Sequence, residues 1–248
     1  MPEPKISIII PAYNEATYIG RLLIALAGQE YKGFEVIVSD AESKDSTDEV
    51  VKSFAKKLNI KMVTSPPRGP GAGRNEGAKI ARGVWLLFLD ADDDIDDPDF
   101  LKILQEVTEQ RGWKVSSAKF KLRGASFRHR FGYGFNYCYI KLLAHTKHPV
   151  APGWCIFIRR DVFENAGGFN EKIQLGEDYD LVSRTGRGVF GFVEDTSYYV
   201  DPRRGYEDSF IFFKAVANEL YRFTHGFNLE KNPIKYEFGK HKELNNKD

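Results

Sequence analysis

The chain has 248 residues, of which 42% are hydrophobic and 29% are charged, an ordinary balance for a folded globular protein. Its 36 Lys and Arg residues nearly match its 35 Asp and Glu residues, and the resulting net charge of +1 argues against a nucleic-acid partner. The two cysteines, Cys138 and Cys155, show neither metal-ligand spacing nor a disulfide framework, and no apolar run has the length of a membrane span. We therefore expect a cytoplasmic protein without an export signal or a membrane-spanning helix.

The first part of the chain alternates between predicted strands and helices. Short β-branched or apolar runs predict strands at 5–11, 34–39, 60–64 and 84–89. Apolar spacing and a capping-box pattern predict helices at about 16–27, 46–58 and 72–81. Alternating strands and helices with short connections predict an α/β fold with a mostly parallel central sheet flanked by helices.

The fourth predicted strand runs into the most acidic stretch of the chain, WLLFLDADDDIDDPD at 85–99. Seven of the ten residues from Asp90 to Asp99 are aspartate. Carboxylates this dense repel one another, so they favour a divalent cation such as Mg²⁺ or Mn²⁺, which is often bound together with substrate phosphates. The alternative is a solvated acidic turn before the next helix, which suits Asp96 to Asp99. Of the cluster, we expect Asp90 and Asp92 to be the functional residues and Asp93 to Asp99 to be mostly solvated loop and helix-start charge.

Two further features fall at the carboxyl ends of predicted strands. Asp40 ends the second strand, and the glycine-rich segment PPRGPGAGRNEGAK follows the third. Because parallel strands end at one edge of a sheet, Asp40, Asp90, Asp92 and this segment should lie close together. The glycine-rich segment matches no standard phosphate loop, so the pattern favours a phosphate ligand without identifying it. Equally compatible is a set of turn glycines with Arg74 as a surface cation.

Residues 123–149 depart from the alternating pattern. They contain five Lys and Arg residues, three histidines, many aromatic residues and no acidic residue. Such a composition suits a membrane interface or an anionic partner such as a lipid phosphate. The alternative is an amphipathic helix at about 133–145, whose aromatic side chains pack on the sheet and whose cations are solvated.

Other elements are predicted on both sides of this segment. A helix is predicted from Pro98 to about Gln110, and strands at 115–122 and 153–160. Helices follow at 161–166, 177–184 and 207–223. Glu177 and Asp178 begin one of these helices, where acids are common because of the helix dipole. Near an acidic metal site, however, neighbouring carboxylates can also provide a general base.

Four segments, in this order, resemble the inverting family-two glycosyltransferases of the GT-A fold. They are IIIPAYNEATYIGRLL, VIVSDAESKDSTDEV, GAGRNEGAKIARGVWLLFLDADD and GGFNEKIQLGEDYDLVSR, and they span roughly residues 5–185. The resemblance implies a nucleotide-diphospho-sugar transferase fold with a catalytic domain at 1–205. The nucleotide-sugar half would cover about 1–97 and the acceptor half about 98–205, with a C-terminal helix and tail at 206–248.

The resemblance also implies roles for individual residues. The nucleotide pocket would be lined by Pro11, Ala12, Tyr13 and Glu15, with Asp40 on the base and Arg74 near the nucleotide. Asp90 and Asp92 would form a D-x-D motif that binds Mn²⁺ or Mg²⁺, with Asp92 on the metal and Asp90 closer to the sugar. The acceptor side of the sugar pocket would be shaped by Gly153 and Trp154, and the Glu177-Asp178 motif would supply Asp178 as general base.

The chain lacks the late histidine that several relatives give to the metal, because no histidine lies between Asp178 and Thr224. Asp201, or phosphate and water, would then complete the metal shell. Arg203 and Arg204, followed by a glycine, would form a flap over the diphosphate or, alternatively, a solvated turn.

The predicted activity is transfer of a sugar from a UDP- or GDP-sugar to a glycan or lipid-linked acceptor, with inversion. We also expect peripheral contact with the cytoplasmic face of a membrane through residues 123–149. Two alternatives remain: a nucleotidyltransferase that forms sugar nucleotides, and a sugar-nucleotide-binding module without turnover. The sequence PAYNEA after the first strand argues against the nucleotidyltransferase, because such enzymes usually have a glycine-rich basic signature there.

Overall fold

The computed structural model describes residues 3–124, 126–173, 175–201 and 211–226. Within those residues, seven strands form one sheet in the order β3-β2-β1-β4-β6-β5-β7. The strands are β1 (Ile6–Ala12), β2 (Phe34–Asp40), β3 (Ile60–Thr64), β4 (Trp85–Phe88), β5 (Val115–Leu122), β6 (Ile156–Arg159) and β7 (Phe190–Val200). The sheet therefore runs through both predicted halves of the catalytic domain.

Helices cover both faces of the sheet. They are α1 (Ile19–Ala27), α2 (Thr47–Ser53), α3 (Pro70–Lys79), α4 (Phe100–Gln110), α5 (Phe127–Ala144), α6 (Arg160–Asn165), α7 (Glu177–Thr185) and α8 (Ile211–His225). None of the helices in the described ranges is both long and apolar enough to cross a membrane. Residues 227–248, which include the predicted tail, lie outside the described residues.

The strand pairing confirms the predicted α/β class with a mostly parallel sheet. β1 pairs in parallel with β2 and β4, β2 with β3, and β5 with β7. β6 is the exception, because it is antiparallel to both β4 and β5. The reversed direction of β6 places its beginning beside the end of β4, so the residues just before β6 reach the carboxyl edge of the sheet.

Several predicted boundaries differ from the structure. α1 begins at Ile19 rather than about residue 16, and α2 ends at Ser53 rather than about residue 58. Ser46 does precede α2, but its side chain makes no capping hydrogen bond. α5 begins at Phe127, six residues before its predicted start, because the glycines and aromatic residues there do not interrupt the helix.

The strand β7 was not predicted from the sequence. Its sequence, FGFVEDTSYYV, contains two consecutive acids that interrupt the apolar pattern. The structure places an irregularity there, since the register with β5 shifts between Ala118 and Lys119. The acids Glu194 and Asp195 therefore occupy the irregular, exposed part of the strand.

The core has one layer on each face of the sheet. Ile6, Ile8 and Ile10 of β1 face a cluster that includes Leu22 of α1, and Ile9 faces the opposite cluster under α3. α3 lies so close to β1 that a Cβ atom built on Gly77 would be 2.5 Å from Ile9 Cγ2. This close packing fixes α3, and with it Arg74, relative to the carboxyl ends of β1, β2 and β4.

Candidate active site

The acidic loop after β4 is a compact, buried turn. The Asp90 N–H donates to Asp93 Oδ2 at 2.8 Å, and the Asp93 N–H donates to the Asp90 carbonyl at 3.1 Å. Asp94 exchanges two backbone hydrogen bonds with Tyr199 of β7, at 2.9 and 2.7 Å. Asp93 and Asp94 are 0% and 8% exposed, so the expectation that they are solvated charges is wrong. Their carboxylates shape the loop that carries Asp90 and Asp92.

Arg74 of α3 is the buried cation of the site. Its guanidinium donates to Asp90 Oδ1 at 2.7 Å and to Glu177 Oε1 at 2.9 Å, and it lies over the ring of Phe169 at 5.3 Å. The side chain is 2% exposed, which excludes the interpretation of Arg74 as a surface cation. Arg74 therefore joins the loop after β4 to the start of α7 and neutralises part of the charge of both acids.

Gly153 is required by the position of Arg74. A Cβ atom at Gly153 would lie 2.5 Å from Arg74 Nη2, and two ion pairs prevent that guanidinium from moving away. The Gly153 N–H donates to Asp178 Oδ2 at 2.6 Å. A side chain at this position would therefore disturb both the buried cation and the hydrogen bond to Asp178.

Asp178 lies in the first turn of α7 and keeps part of its surface exposed. Its second oxygen, Oδ1, accepts the Tyr179 N–H at 2.8 Å, so two backbone donors orient the carboxylate. Gly176, which precedes the helix, has a φ of 82°, a left-handed conformation that glycine adopts without strain. The helix start thus places Glu177 toward Arg74 and Asp178 toward Gly153.

The electrostatics of this cluster favour retention of protons on its acids. Burial raises the pKa of Glu177 to about 7, with a further contribution from the charge of Asp178 and opposition from Arg74. Burial also raises the pKa of Asp178, again against the influence of Arg74. Burial alone would lower the pKa of Arg74, but Asp90, Glu177 and Asp178 more than reverse this effect. One permanent cation among three carboxylates leaves an excess of negative charge. This excess favours the uptake of a proton by a carboxylate of the cluster, which is the property that a general base needs.

The loop after β1 and the end of β2 form the predicted nucleotide side. The Asp40 carboxylate accepts the Ser43 N–H at 3.0 Å and the Ser43 hydroxyl at 2.6 Å. Ser43 Oγ in turn accepts the Asn14 N–H at 2.9 Å, and Asn14 Oδ1 accepts the Lys44 N–H at 2.7 Å. Asn14 and Ser43 were not predicted as site residues. Asn14 has a φ of 56°, a left-handed conformation that asparagine adopts more often than most other residues do.

The remaining predicted nucleotide residues lie around the end of β1. Ala12 is paired in register with Asp40, and its carbonyl accepts the Ala41 N–H at 2.8 Å. Glu15 is 6% exposed, and its N–H donates to Thr47 Oγ1 at 2.9 Å. Pro11 packs close to α3, whereas Tyr13 is half-exposed. The structure thus brings these residues to the edge that carries Asp40 and Asp90.

Trp154 extends the site toward α5. Its ring stacks on Tyr133 with centroids 5.9 Å apart and meets Phe120 edge-on at 5.9 Å. The aromatic residues of α5 therefore support the segment that carries Gly153. Arg203 and Arg204, the predicted flap, lie outside the described residues.

Arg21 of α1 was not predicted as a site residue. Its guanidinium Nη2 lies 3.5 Å from the Asp92 carbonyl and 3.5 Å from Asp201 Oδ2, and its Nε lies 3.7 Å from Asp94 Oδ2. Asp201, at the end of β7, is thereby brought close to the acidic loop. No sequence signal marks Arg21, because its spacing on α1 is that of an ordinary polar face.

The carboxylates of the site meet the needs of a divalent cation only in part. Among the described residues, no three His, Cys, Asp or Glu side chains converge in a geometry that could hold a metal ion. Mg²⁺ and Mn²⁺ nevertheless commonly use one or two carboxylates and take their other ligands from phosphates and water. The buried Asp92 carboxylate on this hydrogen-bonded loop fits such a role, whereas one oxygen of Asp90 is already bound to Arg74.

Comparison with known proteins identifies the family. The profile of "Glycosyl transferase family 2" matches residues 7–167, which include the acidic loop, Arg74, Gly153 and Trp154. The chain belongs to glycosyltransferase family 2. The GT-A fold of its structural neighbours, with a sheet flanked by helices, confirms the fold expected from the sequence.

Sequence relatives of this family 2 chain come from several bacteria. It is 42% identical over 93 residues to the poly(ribitol-phosphate) beta-N-acetylglucosaminyltransferase TarS of Staphylococcus aureus. The matched segment covers 36% of this chain and 16% of TarS. It is 28% identical over 184 residues to a PGL/p-HBAD biosynthesis glycosyltransferase of Mycobacterium bovis, which covers 73% of this chain and 69% of that protein. The chain thus spans only a small part of the length of TarS.

Solved structures support the same assignment. TarS residues 1–349 in complex with UDP match with a TM-score of 0.64 and 27% identity, which covers 88% of this chain and 65% of the other. The mannosyltransferase PcManGT of Pyrobaculum calidifontis, in complex with GDP-Man and Mn²⁺, matches with a TM-score of 0.73 and 22% identity, which covers 93% and 66%. At that identity, the second likeness concerns the fold alone.

Proposed function

We propose that this family 2 chain is an inverting glycosyltransferase. It moves the sugar of a UDP- or GDP-sugar to a hydroxyl or phosphate group of a glycan or lipid-linked acceptor. The observation that most supports this proposal is the carboxylate of Asp178, which is partly exposed, oriented by two backbone N–H groups and close to the buried Arg74–Asp90 pair. The complexes of TarS with UDP and UDP-GlcNAc support a nucleoside-diphosphate sugar as the donor.

In the proposed reaction, Asp178 accepts the proton of the acceptor hydroxyl as that oxygen attacks the anomeric carbon. The new bond forms on the face opposite the diphosphate, while the bond from the anomeric carbon to the diphosphate oxygen breaks. The electron pair of the broken bond leaves with the nucleoside diphosphate, and the configuration inverts. A positioned base of this kind typically contributes ~10²- to 10⁴-fold to the rate.

The other residues of the cluster position the reactants. Arg74 holds Asp90 and Glu177 in place by its two ion pairs, and we assign Asp90 to the sugar or ribose hydroxyls. Asp40 and the loop at 11–15 bind the nucleoside, and Gly153 with Trp154 borders the acceptor side. Arg203 and Arg204 would contact the diphosphate.

We assign a divalent cation, Mn²⁺ or Mg²⁺, to Asp92, with Asp90 as a further oxygen ligand. When bound, the cation would offset the negative charge of the leaving diphosphate. Phosphate and water, rather than Asp201, would complete the metal shell, because Asp201 Oδ2 is paired with Arg21 and no third carboxylate of the described residues converges with Asp90 and Asp92. The site would be expected to bind the metal together with the donor, since few protein ligands are available.

A thermal-shift panel of UDP, GDP and their sugars, with and without Mn²⁺, tests donor and metal together. A ligand that binds only the folded state raises its melting temperature, so we expect a rise that requires Mn²⁺. Asp92→Asn should abolish this rise, whereas Asp96→Asn should retain it, because the Asp96 side chain in the same loop is 59% exposed. Equal donor affinity with and without Mn²⁺ would contradict the metal assignment.

A product assay separates transfer from the alternatives. Slow, metal-dependent release of UDP or GDP from a sugar nucleotide would support the transferase. Release of pyrophosphate from a nucleoside triphosphate would instead identify a nucleotidyltransferase. Binding without either product, even with a panel of acceptors, would favour a sugar-nucleotide-binding module.

The acceptor and its location complete the proposal. We infer that residues 123–149 contact the cytoplasmic face of a membrane peripherally, because this segment is basic, aromatic and free of acids. A lipid-linked acceptor would then reach the site from the side of Trp154, which packs against Tyr133 of α5.

A further inference from the structure

Exposed apolar side chains are concentrated on two helices. Among the described residues, eight large hydrophobic side chains are exposed, and five of them lie on α5 and α8. They are Phe135 at 56%, Leu142 at 71%, Val216 at 37%, Leu220 at 62% and Phe223 at 53%. Large apolar side chains that are exposed singly need no explanation, but a concentration of them indicates an interaction surface.

On α5 the exposed side chains form one stripe. Phe135, Cys138, Leu142 and His145 follow one another at helical spacing, three or four residues apart, and are all exposed. The opposite side of the helix carries Tyr133, Tyr137, Ile140 and Leu143, which pack against the protein core. A separate side of α5 thus packs against the core, so the outward stripe is not simply the uncovered edge of that core-facing side.

α8 also has exposed apolar side chains on one side, but its buried side is polar. Val216, Leu220 and Phe223 lie on one side, while Asn218 and Arg222 are 3% and 1% exposed on the other. Arg222 donates to the Tyr179 carbonyl at 3.2 Å and to Ser183 Oγ at 2.8 Å, so α8 is anchored on α7 by its polar side. A surface helix usually buries its apolar side, whereas the described side chains of α8 from Val216 to Phe223 are arranged the other way round.

The two helices are linked. The Tyr139 hydroxyl of α5 donates to Glu219 Oε2 of α8 at 2.7 Å, and Asn136 of α5 and Arg222 of α8 both bond Tyr179 of α7. The exposed stripes consequently belong to adjacent helices held on a shared support. We call the residues Phe135, Leu142, Val216, Leu220 and Phe223 the α5–α8 face.

Cations outnumber acids on α5 and α8 themselves, and Glu194 of β7 neutralises one of these cations by pairing with Lys141 at 2.8 Å. Residues 123–149 contain no acid, and the one acid of residues 211–226, Glu219, is bound to Arg222 at 2.7 Å and to Tyr139. Arg130, near the start of α5, and Lys147, just after its end, are both exposed. Apolar side chains together with surrounding cations are the features that bind interfacial helices to anionic lipid.

We propose that the α5–α8 face docks the protein on an anionic lipid bilayer. A second copy of the chain suits this surface less well, because apposed copies would bring the same cations together. The docking itself requires no catalysis. Its role in delivering an acceptor rests on the proposed function. The structural link between the face and the site is Tyr133 of α5, which stacks on Trp154, next to the Gly153 that bonds Asp178.

Vesicle co-sedimentation of the full chain tests the proposal. We expect binding to vesicles of phosphatidylcholine with 30% phosphatidylglycerol, by analogy with the anionic surfaces that attract basic segments, and much weaker binding to phosphatidylcholine alone or at about 0.5 M salt. Leu142→Glu with Leu220→Glu should weaken binding at least about tenfold, because both acids oppose apolar burial and anionic lipid.

Ile24→Glu is the matched control. Ile24 is 64% exposed on α1 and does not belong to the face, so this variant should bind vesicles as the parent does. Circular dichroism and nucleotide-dependent thermal shifts should show that all variants are folded. No binding of the parent to anionic vesicles would overturn the proposal, as would an equal loss in the Ile24 control. A dimer in light scattering that the double substitution dissociates would assign the face to a second copy instead.

The same samples separate this proposal from the transferase assignment. Vesicle binding without release of UDP or GDP in the product assay would leave the docking surface standing and contradict the catalytic proposal. Nucleotide-sugar turnover without vesicle binding would support the catalytic proposal and contradict the docking surface.

Discussion

At the scale of single residues, Arg74 determines how the acids of the site behave. It is buried between Asp90 and Glu177, and three carboxylates raise its pKa, so it stays charged. A fixed cation of this kind orients two acids without removing the excess negative charge. Asp178 is left with two backbone donors and a partly exposed carboxylate, which is the combination expected of a base that must meet an incoming hydroxyl.

Asp178→Asn tests this assignment. We expect turnover to fall by about 10²- to 10⁴-fold, because the amide cannot accept the acceptor proton. The amide also has one acceptor oxygen, so it loses one of the bonds from Gly153 and Tyr179, and the melting temperature should fall. Donor affinity, measured by thermal shift with Mn²⁺, should remain close to that of the parent. Unchanged turnover would reject Asp178 as the base.

At the scale of elements, the packing of α3 on β1 and β2 sets the position of Arg74. Gly77 lies at the closest approach, where a Cβ atom would meet Ile9 Cγ2 at 2.5 Å and Ile37 Cγ2 at 3.5 Å. A glycine in the middle of a helix is normally unfavourable, so its presence here reflects the need for a short distance between helix and sheet. The acidic loop and α7 meet Arg74 because α3 lies this close to the sheet.

Gly77→Ala should therefore destabilise the protein, although alanine favours helices. Overpacking of this kind costs about 1–3 kcal/mol in the free energy of unfolding. Gly134→Ala on α5 is the control, because nothing lies within 4 Å of its Cβ position, and there alanine should stabilise by about 0.5–1 kcal/mol. Urea denaturation measures both. A stabilising effect of Gly77→Ala would show that α3 can move away from the sheet at little cost.

At the scale of the whole molecule, the site joins segments that are far apart in the chain. Arg74 and Glu177 are separated by 103 residues, and Gly153 and Asp178 by 25. The antiparallel direction of β6 makes this possible, because Ile156 at its start pairs with Phe88 at the end of β4. The segment before β6 thus reaches the acidic edge, where Gly153 meets Asp178 and Arg74 meets Asp90 and Glu177.

This buried cluster should make the stability of the whole molecule depend on pH. The pKa of Glu177 is raised from 4.5 to about 7 in the folded state, so the folded protein keeps this proton over a range in which the unfolded chain has lost it. The stabilisation is complete below about pH 4.5 and is lost as the pH rises through about 7. Glu177→Gln keeps an acceptor for Arg74 but removes the titration.

Thermal melts of metal-free protein from pH 4 to 8 measure the effect. The melting temperature of Glu177→Gln, relative to the parent, should be higher at pH 8 than at pH 4, because only the parent must ionise Glu177 in its buried position. Glu171→Gln is a suitable control, since Glu171 is half-buried at the surface and pairs with Arg68. Parallel pH profiles for parent and Glu177→Gln would contradict the raised pKa.

The sequence alone determined the fold class, the succession of β1 to β4 with their helices, and the residues at the edge of the sheet. These follow from local patterns, because apolar periodicity and strand-ending acids are properties of neighbouring residues. The positions of Asp40, Asp90 and Asp92 at one edge follow from the rule that parallel strands end together.

Only the tertiary structure decided the rest. The burial of Arg74, Asp93 and Asp94, the strand β7 and the proximity of Arg21 to Asp201 all depend on contacts between distant segments. A side chain's charge can be read from the sequence, but its solvation and its partners cannot, because the cost of burying a charge depends on which groups the fold brings beside it.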